Sequence, residues 1–158
     1  MSKAMFPGTF DPITIGHVDI IERASKCFDE VVVAIMVNPR KTPTFTVEHR
    51  IEMIRKCTSH LKNVTVTSSD GLTIQFAKKI GATVLIRGVR TVADYEYEMA
   101  QATANMQLDD SIETMMLTSR PQYSYLSSSM AKEIAMNNGD ISSIIPATII
   151  HEVQEAFS

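Results

Sequence analysis

Cysteine is scarce in this chain, and so are glycine and any excess of positive charge. The two cysteines, Cys27 and Cys57, lie far apart in expected helices and form neither a metal-ligand nor a redox spacing. They read as half-buried free thiols. Fifteen Lys and Arg stand against eighteen Asp and Glu, a formal net charge of −3. That balance excludes a protein that coats nucleic acid, because such binding rests on many cation–phosphate contacts. No apolar run approaches the ~20 residues of a membrane span, and no N-terminal signal region is read. A cytoplasmic protein without nucleic-acid or membrane partners is the expectation. There is no G-x-G-x-x-G fingerprint and no Walker loop, so neither a dinucleotide oxidoreductase nor a P-loop enzyme is supported. With no repeat, low-complexity tract or linker, residues 1–158 form one expected domain.

What remains is a chain that is 44% apolar and 21% charged, large enough for a single core. Short apolar runs rich in β-branched residues predict strands at Lys3–Phe6, Val31–Val37, Val64–Thr67, Thr83–Ile86 and Ile112–Leu117, buried on both faces. Helical spacing predicts Gly16–Phe28, Val47–His60, Leu72–Ile80, about Thr91–Leu108, about Ser128–Asn137 and Pro146–Phe157. Thr46 suits a helix N-cap, Gly81 and Gly139 suit helix ends, and Pro146 suits a first turn. The ten methionines read as core filler, and His49, His60 and His151 as helix-surface residues. Strands alternating with helices imply parallel pairing through right-handed crossovers. The expected fold is α/β, a Rossmann-like doubly wound five-stranded parallel sheet flanked by helices.

Such sheets bind ligands outside the carboxyl ends of their strands, where strand order reverses. The unusual residues fall in the loops at those ends. "GTFDPITIGH" follows the first strand: Gly8 admits close backbone approach, and Gly16-His17 opens a helix whose free N–H groups favour an anion. In "NPRKTPTF", Arg40 and Lys41 lie between two prolines, which also suits a solvated basic turn. In "IRGVRTVADYEYE", Arg87 and Arg90 flank Gly88 with Asp94 and Glu98 one turn apart on the next helix. Those guanidiniums suit phosphate oxygens, and the same set suits a surface salt-bridge cluster. "YSYLSSSMAKE" places Ser127, Ser128 and Ser129 at a helix start, more hydroxyls than one cap needs.

On these segments the sequence resembles the bacterial phosphopantetheine adenylyltransferase family, in the nucleotidyltransferase superfamily marked by T/H-x-G-H and serine motifs. The first motif stands as Thr14-Ile15-Gly16-His17 and the second as "YSYLSSS", while "LIRGVRTVADYEYE" is particular to the family. The likeness runs from Met5 to about Ala156, with Leu126 where Ile is usual and Tyr123 where Trp is frequent. It implies transfer of the adenylyl group of ATP to 4′-phosphopantetheine, giving dephospho-coenzyme A and pyrophosphate in the penultimate step of coenzyme A biosynthesis. It also implies Mg²⁺, a homohexamer and coenzyme A as feedback inhibitor. Carried over, Thr9, Lys41, Thr73, Arg87, Asn105 and Glu133 would contact phosphopantetheine. Thr9, Phe10, Gly16, His17, Gly88, Val89, Arg90, Asp94, Tyr97 and Glu98 would bind ATP. So would Tyr123, Ser124, Tyr125, Leu126, Ser127, Ser128 and Ser129.

The chemistry asks for charge compensation, because both reactants are anions. Unit charges at 4 Å repel by roughly 1 kcal/mol in water and about 4 at an effective dielectric of 20. His17, Lys41, Thr9 and Arg90 are the expected catalytic set, with no protein metal ligand. The nucleophile is already an oxyanion, so no general base is expected. Other superfamily members, acting on nicotinamide nucleotides or cytidylyl donors, and a non-catalytic nucleotide sensor are the competing readings.

Overall fold

The computed structural model describes all 158 residues. Five parallel strands form one sheet: β1 Lys3–Gly8, β2 Glu30–Met36, β3 Val64–Ser69, β4 Val84–Val89 and β5 Glu113–Thr118. Their order is β3-β2-β1-β4-β5, so the winding direction reverses at β1 and β4, as the alternation of elements predicts. The helices are α1 Ile15–Ser25, α2 Val47–Thr58, α3 Thr73–Lys79, α4 Val92–Leu108, α5 Ser128–Met136 and α6 Ile150–Glu155.

Register creates the crevice. β1 pairs with β2 as far as Gly8↔Ile35, and β4 pairs with β5 as far as Val89↔Thr118. Between them, β1 and β4 pair only at Ala4↔Val84 and Met5↔Leu85. Beyond Met5 and Leu85 the central strands part, and their free edges need other hydrogen-bond partners.

Strand alternation sends Ala4 and Phe6 to one face and Met5 to the other. The first face is sealed by α1, α2, α5 and the Ile141–Val153 region. The second holds a smaller core under α3, with Ile74, Ala77 and Leu85. α4 buries only Glu98 of its seventeen residues. Thr14, Thr46, Thr91 and Ser127 cap four of the helices through their hydroxyls, and Gly81 ends α3 at φ 78°.

Several boundaries differ from the sequence reading. Arg87, Gly88 and Val89 belong to β4 rather than to the loop after it, because β5 continues the ladder beside them. α1 stops at Ser25, so Cys27 lies outside it and exposed, whereas Cys57 is buried in α2. Burial pushes the Cys57 thiol up to about 11, which leaves it inert as a nucleophile. After α5 the left-handed residue is Asn138, φ 57°, not Gly139. Gly139 is still required, since a Cβ there would lie 2.5 Å from Ile134 Cγ2. Pro146 precedes a 3₁₀ turn, Ala147–Ile149, and α6 starts only at Ile150. β3 and β5 are the edge strands, and neither is buried on both sides: β3 buries only Val66, and β5 buries none of its residues. Met1, Met99, Met106, Met115 and Met136 are exposed rather than core filler. His60 and His151 are exposed as expected and His49 is part-buried; His49 and His60 contact Glu152 and Glu22 at 2.9 and 2.8 Å.

Candidate active site

The turn after β1 is held in an unusual backbone shape. Phe10 adopts φ 49° and is buried, with its ring against Phe6 and His17 at centroid distances of 5.3 and 5.0 Å. A left-handed aromatic is sterically costly and persists where the surroundings hold it. Thr14 then caps α1, and its Oγ1 accepts from His17 N–H at 3.2 Å. His17 Nδ1 accepts in return from Thr14 N–H at 3.0 Å. That reciprocal pair is a capping box with histidine at the third position. It leaves Nδ1 without a proton, so the ring hydrogen sits on Nε2. Burial, then the charges of Arg90 and Arg87, lower the His17 pKa to about 4. His17 is therefore a neutral donor at pH 7, and it adds an oriented N–H to the site rather than a positive charge.

Arg87 occupies the gap where β1 and β4 part. Its Nη1 donates to the Pro7 carbonyl at 2.8 Å. Nε and Nη2 donate to the two Glu98 oxygens at 2.6 and 3.0 Å. Glu98 is 7% exposed, so this fork is a half-buried structural pair rather than a surface one. Arg90 lies 3.4 Å from Asp94, whose carboxylate also accepts from Arg90 N–H at 3.2 Å. Both sides of that pair are about one-third exposed, so Arg90 is cheaply released to another anion.

Two cavities flank Arg87. The first, of about 290 Å³, is lined among others by Thr9, Phe10, Gly16, His17, Gly88 and Arg90. Tyr123, Leu126 and Ser128 complete its far side. The second, of about 360 Å³, is lined by Thr73, Tyr97, Glu98 and Asn105 together with the apolar Met36, Leu72, Leu85 and Leu108. Pro7, Gly8, Thr9 and Arg87 line both. Both cavities have mixed polar and apolar walls; His17 and Arg90 line only the first.

The structure thus gathers most of the expected residues, with exceptions. Tyr97 and Glu98, expected beside the nucleotide, line the second cavity. Val89 and Tyr125 lie outside both, and Asp94 is occupied by Arg90. The serines divide their work: Ser127 Oγ accepts from Met130 N–H at 3.0 Å and Ser128 Oγ donates to Pro12 O at 2.7 Å. Ser124 Oγ donates to Pro121 O at 3.0 Å, and Ser129 stays exposed at the start of α5. Lys41 is exposed on the loop after β2, outside both cavities. Glu133, on α5, is also outside them. Sequence reasoning missed Ser119 and Asn38, although both sit just past a strand end, where the carboxyl-end rule directs attention. It also missed Ile20, Leu85 and Thr114, which no local pattern distinguishes from core.

Residues 5–134 match the family described as cytidylyltransferase-like. The phosphopantetheine adenylyltransferase of Symbiobacterium thermophilum is 48% identical over 158 residues, covering 100% of this chain and 98% of its own. That of Finegoldia magna is 47% identical over 157 residues, covering 99% and 97%. This chain belongs to the phosphopantetheine adenylyltransferase family. A crystal structure of a putative nicotinate-nucleotide adenylyltransferase from Vibrio parahaemolyticus superposes with a TM-score of 0.71 over 100% of this chain and 98% of that one. At 20% identity it speaks for the fold. Membership of that family makes the chain a nucleotidyltransferase.

No Asp or Glu lines the first cavity, and no cluster of three His, Cys, Asp or Glu side chains suits a metal. The nearby carboxylates Asp94 and Glu98 are engaged by Arg90 and Arg87. These residues do not fit a protein-held magnesium ion.

Proposed function

We propose that the protein joins ATP and 4′-phosphopantetheine by direct in-line attack of the acceptor phosphate on the ATP α-phosphate. Dephospho-coenzyme A and pyrophosphate leave. The carrying observation is the shared wall: Pro7, Gly8, Thr9 and Arg87 line both cavities, so a phosphate in each meets the other at that wall. The cavity bordered by His17 and Arg90 takes the nucleotide, entering as its magnesium complex, and the one lined by Met36, Leu72 and Leu108 takes the pantetheine arm. Thr73 and Asn105 offer that arm polar contacts within its cavity.

In the nucleotide cavity, His17 Nε2–H donates to the α-phosphate as its charge spreads over five-coordinate phosphorus. Arg90 leaves Asp94 to hold the ATP phosphates, assisted by Ser128, Ser129 and the first turn of α5. Thr9 and Lys41 hold the attacking phosphate, with Lys41 reaching in from its exposed loop. No proton is removed, so no base is required. Placement alone accounts for roughly 7–11 kcal/mol in favourable cases, and an oriented donor adds about 3–4 kcal/mol.

The wider biology follows the same reading. The enzyme works in the cytoplasm, coenzyme A competes at the pantetheine cavity, and six copies assemble through the exposed face of α4. Val92, Met99 and Met106, spaced seven residues apart along one side of α4, are 44–76% exposed, which supports burial against another copy. The deciding experiment is pyrophosphate release with ATP and a panel of acceptors. Turnover with 4′-phosphopantetheine and none with nicotinate mononucleotide upholds the reading; the reverse preference overturns it.

A further inference from the structure

One buried cation stands behind the two cavities, and none of the roles above uses it. Arg50, in α2, is 2% exposed. Its guanidinium is directed at backbone carbonyls rather than at a carboxylate: Nε donates to Phe45 O at 3.1 Å and Nη1 donates to Thr9 O at 2.9 Å. Burying a guanidinium is costly, and an apolar side chain of similar size would fill the space without that cost. What the apolar residue could not do is tie Thr9, in the turn after β1, to Phe45, at the end of the loop after β2.

A carboxylate grips the same residue, Phe45, from its other end. Asp11 is 4% exposed; its Oδ1 accepts from Phe45 N–H at 2.9 Å and its Oδ2 from Thr44 N–H at 2.8 Å. Lys132 Nζ, on α5, donates to Asp11 Oδ2 at 3.2 Å. Phe45 is thus held at its N–H by Asp11 and at its carbonyl by Arg50. Three segments that carry the chemistry meet there: the turn bearing Thr9, the loop bearing Lys41 and the helix begun by the serines.

We propose that Arg50 is a positioning residue, which with Asp11 clasps the Lys41 loop to the Thr9 turn and so sets where the acceptor phosphate is held. The inference rests on the reading in which Thr9 and Lys41 receive that phosphate. Lysine cannot replace arginine in this role, because a single ammonium lacks the rigid fork that reaches two carbonyls at once.

The test is a double-mutant cycle of Arg50→Lys and Lys41→Ala, read by steady-state turnover, with ATP alone titrated by calorimetry. Arg50→Lys should lower turnover about 10–100-fold, as small misplacements do, and leave ATP affinity within about twofold. In the Lys41→Ala background the same change should cost less than about threefold, because the group it positions is gone. An equal loss in both backgrounds, or loss of ATP binding in parallel with turnover, overturns the clasp. Full turnover in Lys41→Ala alone overturns the acceptor-phosphate reading instead, and the two failures are told apart by that single variant. If Arg50→Lys does not fold, Asp11→Asn in the same cycle tests the opposite grip on Phe45, with the same expected and overturning results.

Discussion

His17 is the residue on which most of the proposed chemistry turns, and its behaviour follows from two bonds to its neighbour Thr14. The backbone N–H of Thr14 occupies Nδ1, so the free ring nitrogen is obliged to be a donor. His17→Ala should lower turnover about 10²–10³-fold with little change in nucleotide affinity, measured by single-turnover kinetics and ATP titration. The pKa of His17 falls from 6.5 to about 4 in the fold, so the native state disfavours the ring's proton. The resulting stabilisation is full above pH 6.5 and is lost as pH falls from there toward 4. Discounted for partial exposure of the ring, it amounts to about 2 kcal/mol. Urea unfolding of the native protein and of His17→Asn between pH 7 and 4 checks this: the stability of the native chain should fall more steeply.

Among elements, α4 is the one whose sequence and packing disagree most. It is the longest helix, yet Glu98 is its only buried side chain, fixed by the Arg87 fork. Removing one partner leaves the other charge half-buried and unpaired. Glu98→Ala should therefore cost about 3 kcal/mol of stability by chemical denaturation and weaken acceptor binding, because Arg87 loses its orientation at the wall between the cavities. At the start of α1, Thr14→Ala removes the side-chain cap. It should cost about 1 kcal/mol while lowering turnover more than stability alone would, since Thr14 Oγ1 also lies 3.2 Å from His17 Nδ1. Comparing unfolding midpoints with turnover at a temperature where both variants are folded separates the two effects.

At the scale of the whole molecule, the sheet has one well-covered face and one that is half covered. The exposed Met99 and Met106 of α4 lie on the half-covered side, which a lone chain would leave to water. Met106→Glu should lower the oligomeric mass in sedimentation velocity; an unchanged mass would show that copies do not meet there. No helix is long and apolar enough to cross a membrane.

The alternation of short β-branched runs with amphipathic helices sufficed for a doubly wound parallel sheet, because strand and helix periods are local properties of the chain; the order β3-β2-β1-β4-β5 came only with the structure. The same holds for the loops after β1, β2 and β5, whose glycines, prolines and serines mark strand ends and helix starts, but not for Arg87–Val89, which the ladder with β5 draws into β4. The charge state of His17 was not legible, because it depends on Arg87 and Arg90 arriving from another strand and on burial by Phe6 and Phe10. Nor was the division of labour among Ser127, Ser128 and Ser129, where one hydroxyl's partner is the distant Pro12 carbonyl. Tertiary structure alone parted β1 from β4 beyond Met5 and Leu85 and set Arg87 in the gap. It also brought a buried Arg50 against Thr9, forty-one positions away in sequence. Pattern reports what a residue's neighbours along the chain impose. Burial, ion pairing and the free edge of a strand are imposed by segments that meet only when the chain has folded.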